Sequence, residues 1–295
     1  MTKGLIPLTR LDCKNSKKLA RAINSPVIVI PIYDLLTNVT AEFNKTFKDI
    51  KICGGIHNYL NYNGFVILSL IMRDDLIRKS RPKKYAEIIN TIKPDTYTTV
   101  DGGTYNNQDT ESWKEIIRLS NETRELIELC PEIKPIGHIK GCNPVQIKLH
   151  LEYLKGLGIN TFMFHVGDFF RNSDESMIQQ AKYFCSIIKE KNNTLLLYGL
   201  GCPKKMLEFS FADYFITYGH FVNARNGKKF TNGIKQKSNN DSVYEVALHN
   251  FEEMTKSLKS LKKQTKLFSG GECKWVGDMQ DQEAQLVIQK QKARK

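Results

Sequence analysis

The chain has 295 residues, of which 41% are hydrophobic and 25% charged, so it can bury a full core and is not of disordered composition. No apolar run is long enough to span a membrane, and the first ten residues lack the apolar centre of a secretory signal. The sequence therefore predicts a soluble, cytoplasmic protein without a membrane partner.

The charge of the chain indicates what kind of partner it binds, and its cysteines indicate whether disulfides are expected. The formal net charge is +13, with basic residues concentrated at positions 79–84, 225–237 and 256–266. Several basic stretches favour a polyanionic partner, with nucleic acid ahead of an acidic membrane. The 7 cysteines stand singly without a CxxC pair, so we expect reduced thiols rather than a disulfide framework.

In the first part of the chain, continuous apolar runs at residues 27–33 and 65–72 predict two buried strands. Residues 82–92 predict a helix, with Pro82 suited to its first position. A β-branched and aromatic run over residues 96–100 predicts a strand that ends at Asp101, followed by Gly102 and Gly103. Read alone, that tip is an Asp-Gly hairpin turn; in a parallel sheet it is a ligand-binding edge.

From residue 111 onward, helices and strands are expected in alternation. We predict helices at 111–130, 144–157, 176–189 and 203–209 from their apolar spacing, and strands at 136–139, 160–166, 195–198 and 214–218. Strand-helix alternation indicates a parallel sheet with right-handed crossovers. The prediction is an α/β fold, specifically a (β/α)8 TIM barrel, with an open doubly wound sheet as the alternative.

The last part of the chain is predicted as a strand that runs into a polar loop, within residues 212–230, followed by an amphipathic helix at 242–262. We expect a single barrel domain over residues 1–265, with this helix as its C-terminal extension. Residues 266–295 are predicted to form a polar basic tail.

Five short stretches, in the same order, resemble motifs of the guanine transglycosylase family, which comprises the tRNA-guanine transglycosylases and the relatives that place 7-deazaguanine bases in DNA. The resemblance covers residues 100–261, more than half the chain. The stretches are Asp101-Gly102-Gly103-Thr104-Tyr105, Gly137-His138-Ile139-Lys140-Gly141 with the later 164–167, Tyr198-Gly199-Leu200-Gly201-Cys202-Pro203, Asn223-Ala224-Arg225-Asn226-Gly227 and Leu248-His249-Asn250-Phe251.

The resemblance implies a (β/α)8 barrel that flips a guanosine out of its strand and exchanges guanine through a covalent aspartyl-glycosyl intermediate. Asp101 would be catalytic, since its family counterpart contacts the base and handles a proton. The residues expected to bind the base are Gly102, Gly103, Tyr105, Lys140, Gly141 and Gly167, with Tyr105 stacking on it. The residues expected to bind nucleic acid are Asn223, Arg225, Lys228 and Lys229.

The sequence departs from the family pattern at three places. The CxCxxC set that holds zinc together with the histidine matched by His249 is missing, so we expect no metal and no cofactor. Base-reading glutamines are replaced by Lys140 and by Asn106 or Asn107. The family's nucleophilic aspartate aligns with Ile216, which leaves Asp213, Asp168 and Asp101 as candidates for the nucleophile.

The expected substrates are nucleic acid and a 7-deazaguanine base such as preQ0. DNA is favoured over tRNA, because the zinc module that helps tRNA-acting relatives hold folded RNA is missing. A tRNA-acting enzyme and a non-catalytic nucleic-acid-binding partner subunit are the alternatives, the latter because the aligned nucleophile is lost. A homodimer is a further open option.

Overall fold

The structure is a computed structural model that describes residues 4–11, 14–105, 108–170, 174–190, 192–231, 234–237 and 242–268. Its strands are β1 (Gly4–Pro7), β2 (Val27–Pro31), β3 (Phe65–Ser69), β4 (Thr96–Tyr97), β5 (Gly137–His138), β6 (Thr161–His165), β7 (Thr194–Tyr198), β8 (Tyr214–Thr217), β9 (Lys228–Thr231) and β10 (Ile234–Lys237). Its helices are α1 (Lys14–Ala22), α2 (Lys45–Ile52), α3 (Ile56–Leu60), α4 (Asp74–Ile77), α5 (Pro82–Ile92), α6 (Asp109–Leu129), α7 (Pro144–Gly156), α8 (Glu175–Ile188), α9 (Pro203–Leu207), α10 (Gly219–Arg225) and α11 (Val243–Phe268). Two 3₁₀ turns cover Ile32–Leu35 and Gly167–Phe170.

Two parallel sheets form the centre of this α/β fold. The larger has five strands in the order β1-β8-β7-β6-β5, and the smaller has three in the order β2-β3-β4. Each pair in both sheets is parallel, with Ile6 opposite Ile216 and His165 opposite Tyr198 in the larger sheet. The predicted α/β class with a parallel sheet is therefore confirmed.

Isolated bridges connect the edges of the two sheets. A parallel bridge between Leu8 and Val29 joins the chain after β1 to β2, and Thr9 N–H donates to the Val29 carbonyl over 2.8 Å. A second parallel bridge, between Thr98 and Ile136, joins the chain after β4 to the chain before β5. Thus the edge strands of the smaller sheet each meet an edge strand of the larger one.

Buried apolar side chains lie on both faces of the strands. One small cluster contains residues in or beside β1, β2, β3, β5, β6, β7 and β8: Ile6, Leu8, Val29, Ile67, Ile136, Met163, Leu196 and Ile216. Two larger clusters pack the opposite strand faces against the helices. The strands are thus buried on both faces, which explains why their sequences are continuous apolar runs rather than alternating ones.

Local signals define several helices where the sequence predicts them. Helix α5 has Pro82 in its first turn and ends where Lys93 adopts a left-handed conformation, as predicted for residues 82–92. Helix α7 begins after Asn143, whose side chain accepts the Gln146 N–H over 2.9 Å. These boundaries depend on residues near in sequence.

Other predicted elements differ in extent. The strand expected at 96–100 is shorter in the structure, where β4 contains only Thr96 and Tyr97. After these residues the chain pairs with residue 136 through an isolated bridge and the hydrogen bond from Thr99 N–H to the Ile136 carbonyl, rather than through a continuous strand ladder. The polar loop predicted after β8 is instead helix α10 and the antiparallel hairpin β9-β10. Helix α11 continues to Phe268, beyond the predicted residue 262, and most of the predicted tail, from 269 onward, lies outside the described residues.

None of the helices in the described part of the chain combines the length and the apolar character that a bilayer span requires.

Candidate functional site

A cavity of about 950 Å³ lies at the C-terminal edge of the parallel strands. Its walls come from the segments that follow β1, β2, β3, β4, β5 and β6 and from the end of β7, including Arg10, Tyr33, Asp74, Asp101, Tyr105, His138, Lys140, Asp168 and Tyr198. This edge is where α/β folds present ligand-binding groups, because the loops after parallel strands converge there. The cavity is therefore the candidate functional site.

Asp101 is a buried carboxylate in the wall of this cavity. Its side chain is 5% exposed, and its Oδ1 atom lies 2.9 Å from Lys140 Nζ. The backbone N–H groups of Gly102 and Met72 donate to its two oxygens over 2.8 and 3.2 Å. Burial is the largest single effect and opposes ionisation, but the Lys140 charge together with the other nearby groups and hydrogen bonds outweighs it, so the pKa of Asp101 lies below its ordinary value. Asp101 is therefore ionised at neutral pH.

His138 shares this part of the cavity and is fully buried. Its Nδ1 atom lies 3.4 Å from Asp101 Oδ1, and within the described residues neither ring nitrogen has a hydrogen-bond partner. Burial, together with the nearby Lys140 charge, lowers the pKa of His138 to about 3. The ring is thus a neutral imidazole, and Lys140 is the cation that balances Asp101.

The loop after β4 contributes the predicted residues Gly102, Gly103 and Tyr105 to the cavity wall. Tyr105 is about half exposed, and its hydroxyl donates to the Asp74 carboxylate. This hydrogen bond raises the pKa of Tyr105 to about 12. Asp74 is a cavity residue that the sequence analysis missed, although its place just after a predicted strand was a usable signal.

Two glycines meet different geometric demands. Gly141 has φ +156°, and a Cβ there would lie 2.8 Å from the Ile147 backbone nitrogen, so the tight turn after β5 requires glycine. Its N–H donates to Thr104 Oγ1 over 3.2 Å, which ties the loops after β4 and β5 together. Gly167 begins a 3₁₀ turn, and a Cβ there would approach His165 Nε2 to 3.0 Å. Of these two glycines, Gly141 lines the cavity and Gly167 does not. Asp168, the residue after Gly167, contributes to the cavity wall that follows β6.

Of the three predicted catalytic aspartates, Asp101 and Asp168 line the cavity and Asp213 does not. Asp168 lines the cavity together with Asp101, with its side chain 56% exposed and Oδ2 3.8 Å from His165 Nδ1. Asp213 precedes β8 and therefore lies at the opposite, N-terminal edge of the sheet. There its Oδ2 atom lies 2.6 Å from Lys189 Nζ and accepts the Leu195 N–H over 2.8 Å. The structure does not bring Asp213 to the cavity.

The predicted nucleic-acid-binding residues lie around α10 and the β9-β10 hairpin rather than in the cavity wall. Asn223 is buried and donates to the Gly219 carbonyl over 2.6 Å, so its side chain serves the helix itself. Arg225 and Lys228 are exposed, and Lys229 is partly exposed. They form a basic group on the segment that follows β8.

Helix α11 holds this basic segment in place. Asn250 accepts the Phe230 N–H over 2.7 Å and donates to the carbonyls of Lys228 and His220 over 3.0 and 3.2 Å. His249 Nε2 lies 2.7 Å from the Phe230 carbonyl oxygen. The motif that contains His249 and Asn250 is therefore hydrogen-bonded to residues that flank the Asn223–Gly227 motif on both sides, and His249 has a structural partner.

Arg10 is a second cavity residue that sequence reasoning missed. Its Nε atom donates to Asp34 Oδ1 over 2.7 Å, while Asp34 Oδ2 accepts the Leu11 N–H over 2.6 Å. The guanidinium carbon lies 4.9 Å from the centre of the Tyr33 ring. Arg10 follows the short strand β1, whose four residues gave no clear periodic signal, and this explains the omission.

No group of three or more metal-ligating side chains occurs among the described residues. The chain is thus defined as an α/β protein with a polar, aromatic-walled cavity at the C-terminal edge of its strands. A scan against protein-family models finds no match, and a search of curated proteins finds none either.

Proposed function

We propose that this protein is a guanine transglycosylase-like enzyme that exchanges guanine for a 7-deazaguanine base, such as preQ0, in nucleic acid. The observation that carries the proposal is the buried, ionised Asp101 beside Lys140, in a cavity at the C-terminal strand edge. The sequence resemblance places a family aspartate at this same position.

We further infer that the two parallel sheets are parts of one closed (β/α)8 barrel. The Leu8–Val29 and Thr98–Ile136 bridges join the sheets at both edges, which gives the cyclic strand order β1 to β8. The small apolar cluster around Met163 and Ile216 has the composition expected for the interior of such a barrel. In a closed barrel, the segments that follow all eight strands would surround one central cavity.

The cavity suits a flipped purine. The carboxylates of Asp74 and Asp168, which line the cavity with Asp101, offer acceptors for the N1–H and N2–H groups of guanine. The aromatic rings of Tyr33, Tyr105 and Tyr198 line the walls and offer stacking surfaces. The volume of about 950 Å³ leaves room for the attached sugar as well as the base.

A nucleic-acid substrate is favoured over a free nucleoside by charge. The net charge of +13 and the exposed basic group formed by Arg225, Lys228 and Lys229 favour contact with a phosphate backbone. Among nucleic acids we propose DNA, because a short stretch around one flipped base suffices and the zinc module of the tRNA-acting relatives is missing from the sequence.

Labelled-guanine exchange tests this proposal. Protein is incubated with radiolabelled guanine and with single-stranded DNA, duplex DNA or tRNA at one fixed salt concentration, and incorporated label is measured. We expect label in DNA, release of that label on addition of preQ0, and no incorporation by Asp101→Asn. Incorporation into tRNA alone would overturn the choice of DNA, and absence of incorporation into all three nucleic acids would overturn the proposed enzymatic function.

A non-catalytic nucleic-acid-binding subunit is the second candidate, favoured by one observation. Ile216, which aligns with the family's nucleophile, is fully buried in the small apolar cluster and offers no reactive group. Salt-dependent binding of DNA or tRNA without any base exchange, in the assay above, would favour this candidate over the enzyme.

A further inference from the structure

We propose that Asp101 is the nucleophile of the exchange and that Lys140 is the acid and base that gives a proton to the departing guanine and takes one from the incoming base. This inference rests on the proposed function and deepens it. It assigns both chemical roles to one ion pair, with no need for a carboxylate at the position of Ile216.

Placement and orientation single out Asp101 among the acids. Asp213 lies at the opposite edge of the sheet, paired with Lys189. Asp74 and Asp168 line the cavity but are both exposed. By contrast, Asp101 is buried, and backbone N–H groups of Met72 and Gly102 fix the direction of its carboxylate. A fixed, dehydrated carboxylate is better prepared for attack than a solvated one, because less water must be displaced.

The bonds that fix Asp101 leave it able to react. A carboxylate has about four lone-pair sites. The backbone donors and Lys140 occupy only some of these sites. The ionised state of Asp101 at neutral pH suits nucleophilic attack and not proton donation. A separate proton donor is therefore needed for the base.

Lys140 meets that need. Its Nζ atom lies 2.9 Å from Asp101 Oδ1, and its side chain is 17% exposed on the cavity wall. Once Asp101 becomes a neutral ester, the Lys140 ammonium loses the carboxylate that holds its protons in the ion pair. The proton would thus be released at the step that requires it.

Other titratable groups face the pair from the neighbouring segments. These groups are His138 on β5, His150 on α7, His165 on β6, Asp74 after β3 and Asp168 after β6. Burial lowers the pKa of His138 to about 3 and that of His150 to about 4, so neither ring is an imidazolium that could act as the acid at neutral pH. Within the described residues, Lys140 is the cation that contacts the Asp101 carboxylate, whereas Arg118 Nη2 donates to the Asp101 backbone carbonyl over 3.1 Å.

The step balances as follows. An Asp101 oxygen attacks the sugar C1′ atom, the C1′–N9 bond breaks, and its electron pair moves to the purine, which takes a proton from Lys140. The products are a glycosyl ester on Asp101, neutral guanine and a neutral Lys140 amine. The N9 atom of the incoming 7-deazaguanine then attacks C1′ and gives its proton to Lys140, and the C1′–O bond breaks to restore the carboxylate.

Leaving-group dependence tests this assignment. The variant Lys140→Arg keeps the positive charge next to Asp101, but a guanidinium does not give up a proton in proteins. The substrates are matched DNA oligonucleotides that carry either guanine or 7-methylguanine, a base that departs as a neutral molecule without protonation. Adduct formation is followed by denaturing gel and intact mass, and the attachment site is mapped by peptide digestion. Lys148→Arg, an exposed position on α7, is the matched control.

With guanine, we expect Lys140→Arg to form adduct slower by a factor of about 10²–10⁴, the usual contribution of general acid catalysis. With 7-methylguanine, we expect its rate to stay within about tenfold of wild type, since no proton is required. The smaller variant Lys140→Gln should show the same preference for 7-methylguanine, which guards against the longer arginine not fitting. Every adduct should map to Asp101.

Equal losses with both bases in both variants would overturn the role of Lys140 as proton donor. Attachment at Asp168 or Asp74, or exchange by wild type through any residue other than Asp101, would overturn the nucleophile while leaving the proposed function intact. If wild type exchanges no base in any nucleic acid, the proposed function fails and this inference fails with it.

Discussion

The Nδ1 atom of His138 lies 3.4 Å from the Oδ1 atom of Asp101, and both side chains are buried. Despite this distance, the two residues are not an ion pair, because burial keeps the imidazole neutral with a pKa of about 3. The positive charge that balances Asp101 comes from Lys140, which lies two residues after His138 at the end of β5. The group formed by Asp101, Lys140 and His138 therefore combines one anion, one cation and one neutral polar ring.

Replacing Asp101 by Asn is expected to abolish base exchange and leave the protein folded. The amide preserves the shape of the side chain and can still accept a backbone N–H, but it cannot attack a sugar or balance Lys140. Exchange is expected to fall below detection in the labelled-guanine assay, because no group remains that can form the glycosyl ester. Thermal unfolding of the variant serves as the control, and near-normal exchange by a folded variant would exclude Asp101 from the chemistry.

Asp213→Ala is expected to lower stability without changing exchange. The substitution removes the contact with Lys189 and the acceptor for the Leu195 N–H, both at the edge of the sheet opposite the cavity. A partly exposed ion pair and one hydrogen bond together contribute about 1–2 kcal/mol. Urea unfolding measures the loss, with Lys189→Ala as the matched variant. Abolished exchange in a stable Asp213→Ala protein would restore Asp213 as the nucleophile.

The variant His220→Phe is expected to flatten the pH dependence of stability. His220 is fully buried, its ring packs edge-on against Phe251, and burial lowers its pKa to about 3 from 6.5. Between these pH values the unfolded chain binds a proton that the folded protein excludes, so the free energy of unfolding falls as the pH falls. Removing one such group should reduce the slope by about 1.4 kcal/mol per pH unit.

Urea unfolding of wild type and His220→Phe at several pH values between 4 and 6 measures this difference. His138 and His150 remain in the variant and continue to lower its stability in acid, so part of the pH dependence should persist. Identical slopes for the two proteins would show that His220 is not held neutral in the folded state.

The double variant Arg225→Ala with Lys228→Ala is expected to weaken nucleic-acid binding and to reduce its salt dependence. Both side chains are exposed on the segment that α11 holds through Asn250. Each lost phosphate contact should reduce the slope of log K against log salt by about 0.9 for duplex DNA. The matched control is Lys48→Ala with Lys51→Ala, two exposed lysines on α2. Equal effects of both double variants would indicate a merely general charge effect.

Much of the secondary structure follows from local sequence signals. Helix α5 and strand β7 lie close to their predicted bounds, because apolar periodicity, Pro82 at a helix start and glycines after Tyr198 act over a few residues. The region after β8 shows the limit of such signals. Its polar composition suggested a loop, but α10 and the β9-β10 hairpin are stabilised by Asn250, which is distant in sequence.

For the site, the sequence by itself determined that Asp101 and Lys140 follow two predicted strands and that the chain is strongly basic. Only the tertiary structure decided which carboxylates share a cavity. Parallel strands send every following segment to one edge and every preceding segment to the other, so Asp168 joins Asp101 while Asp213 does not. The contact between Asp101 and Lys140 likewise depends on the pairing across β4 and β5, and the burial and the Lys140 contact that act on the pKa of Asp101 exist only once the chain is folded.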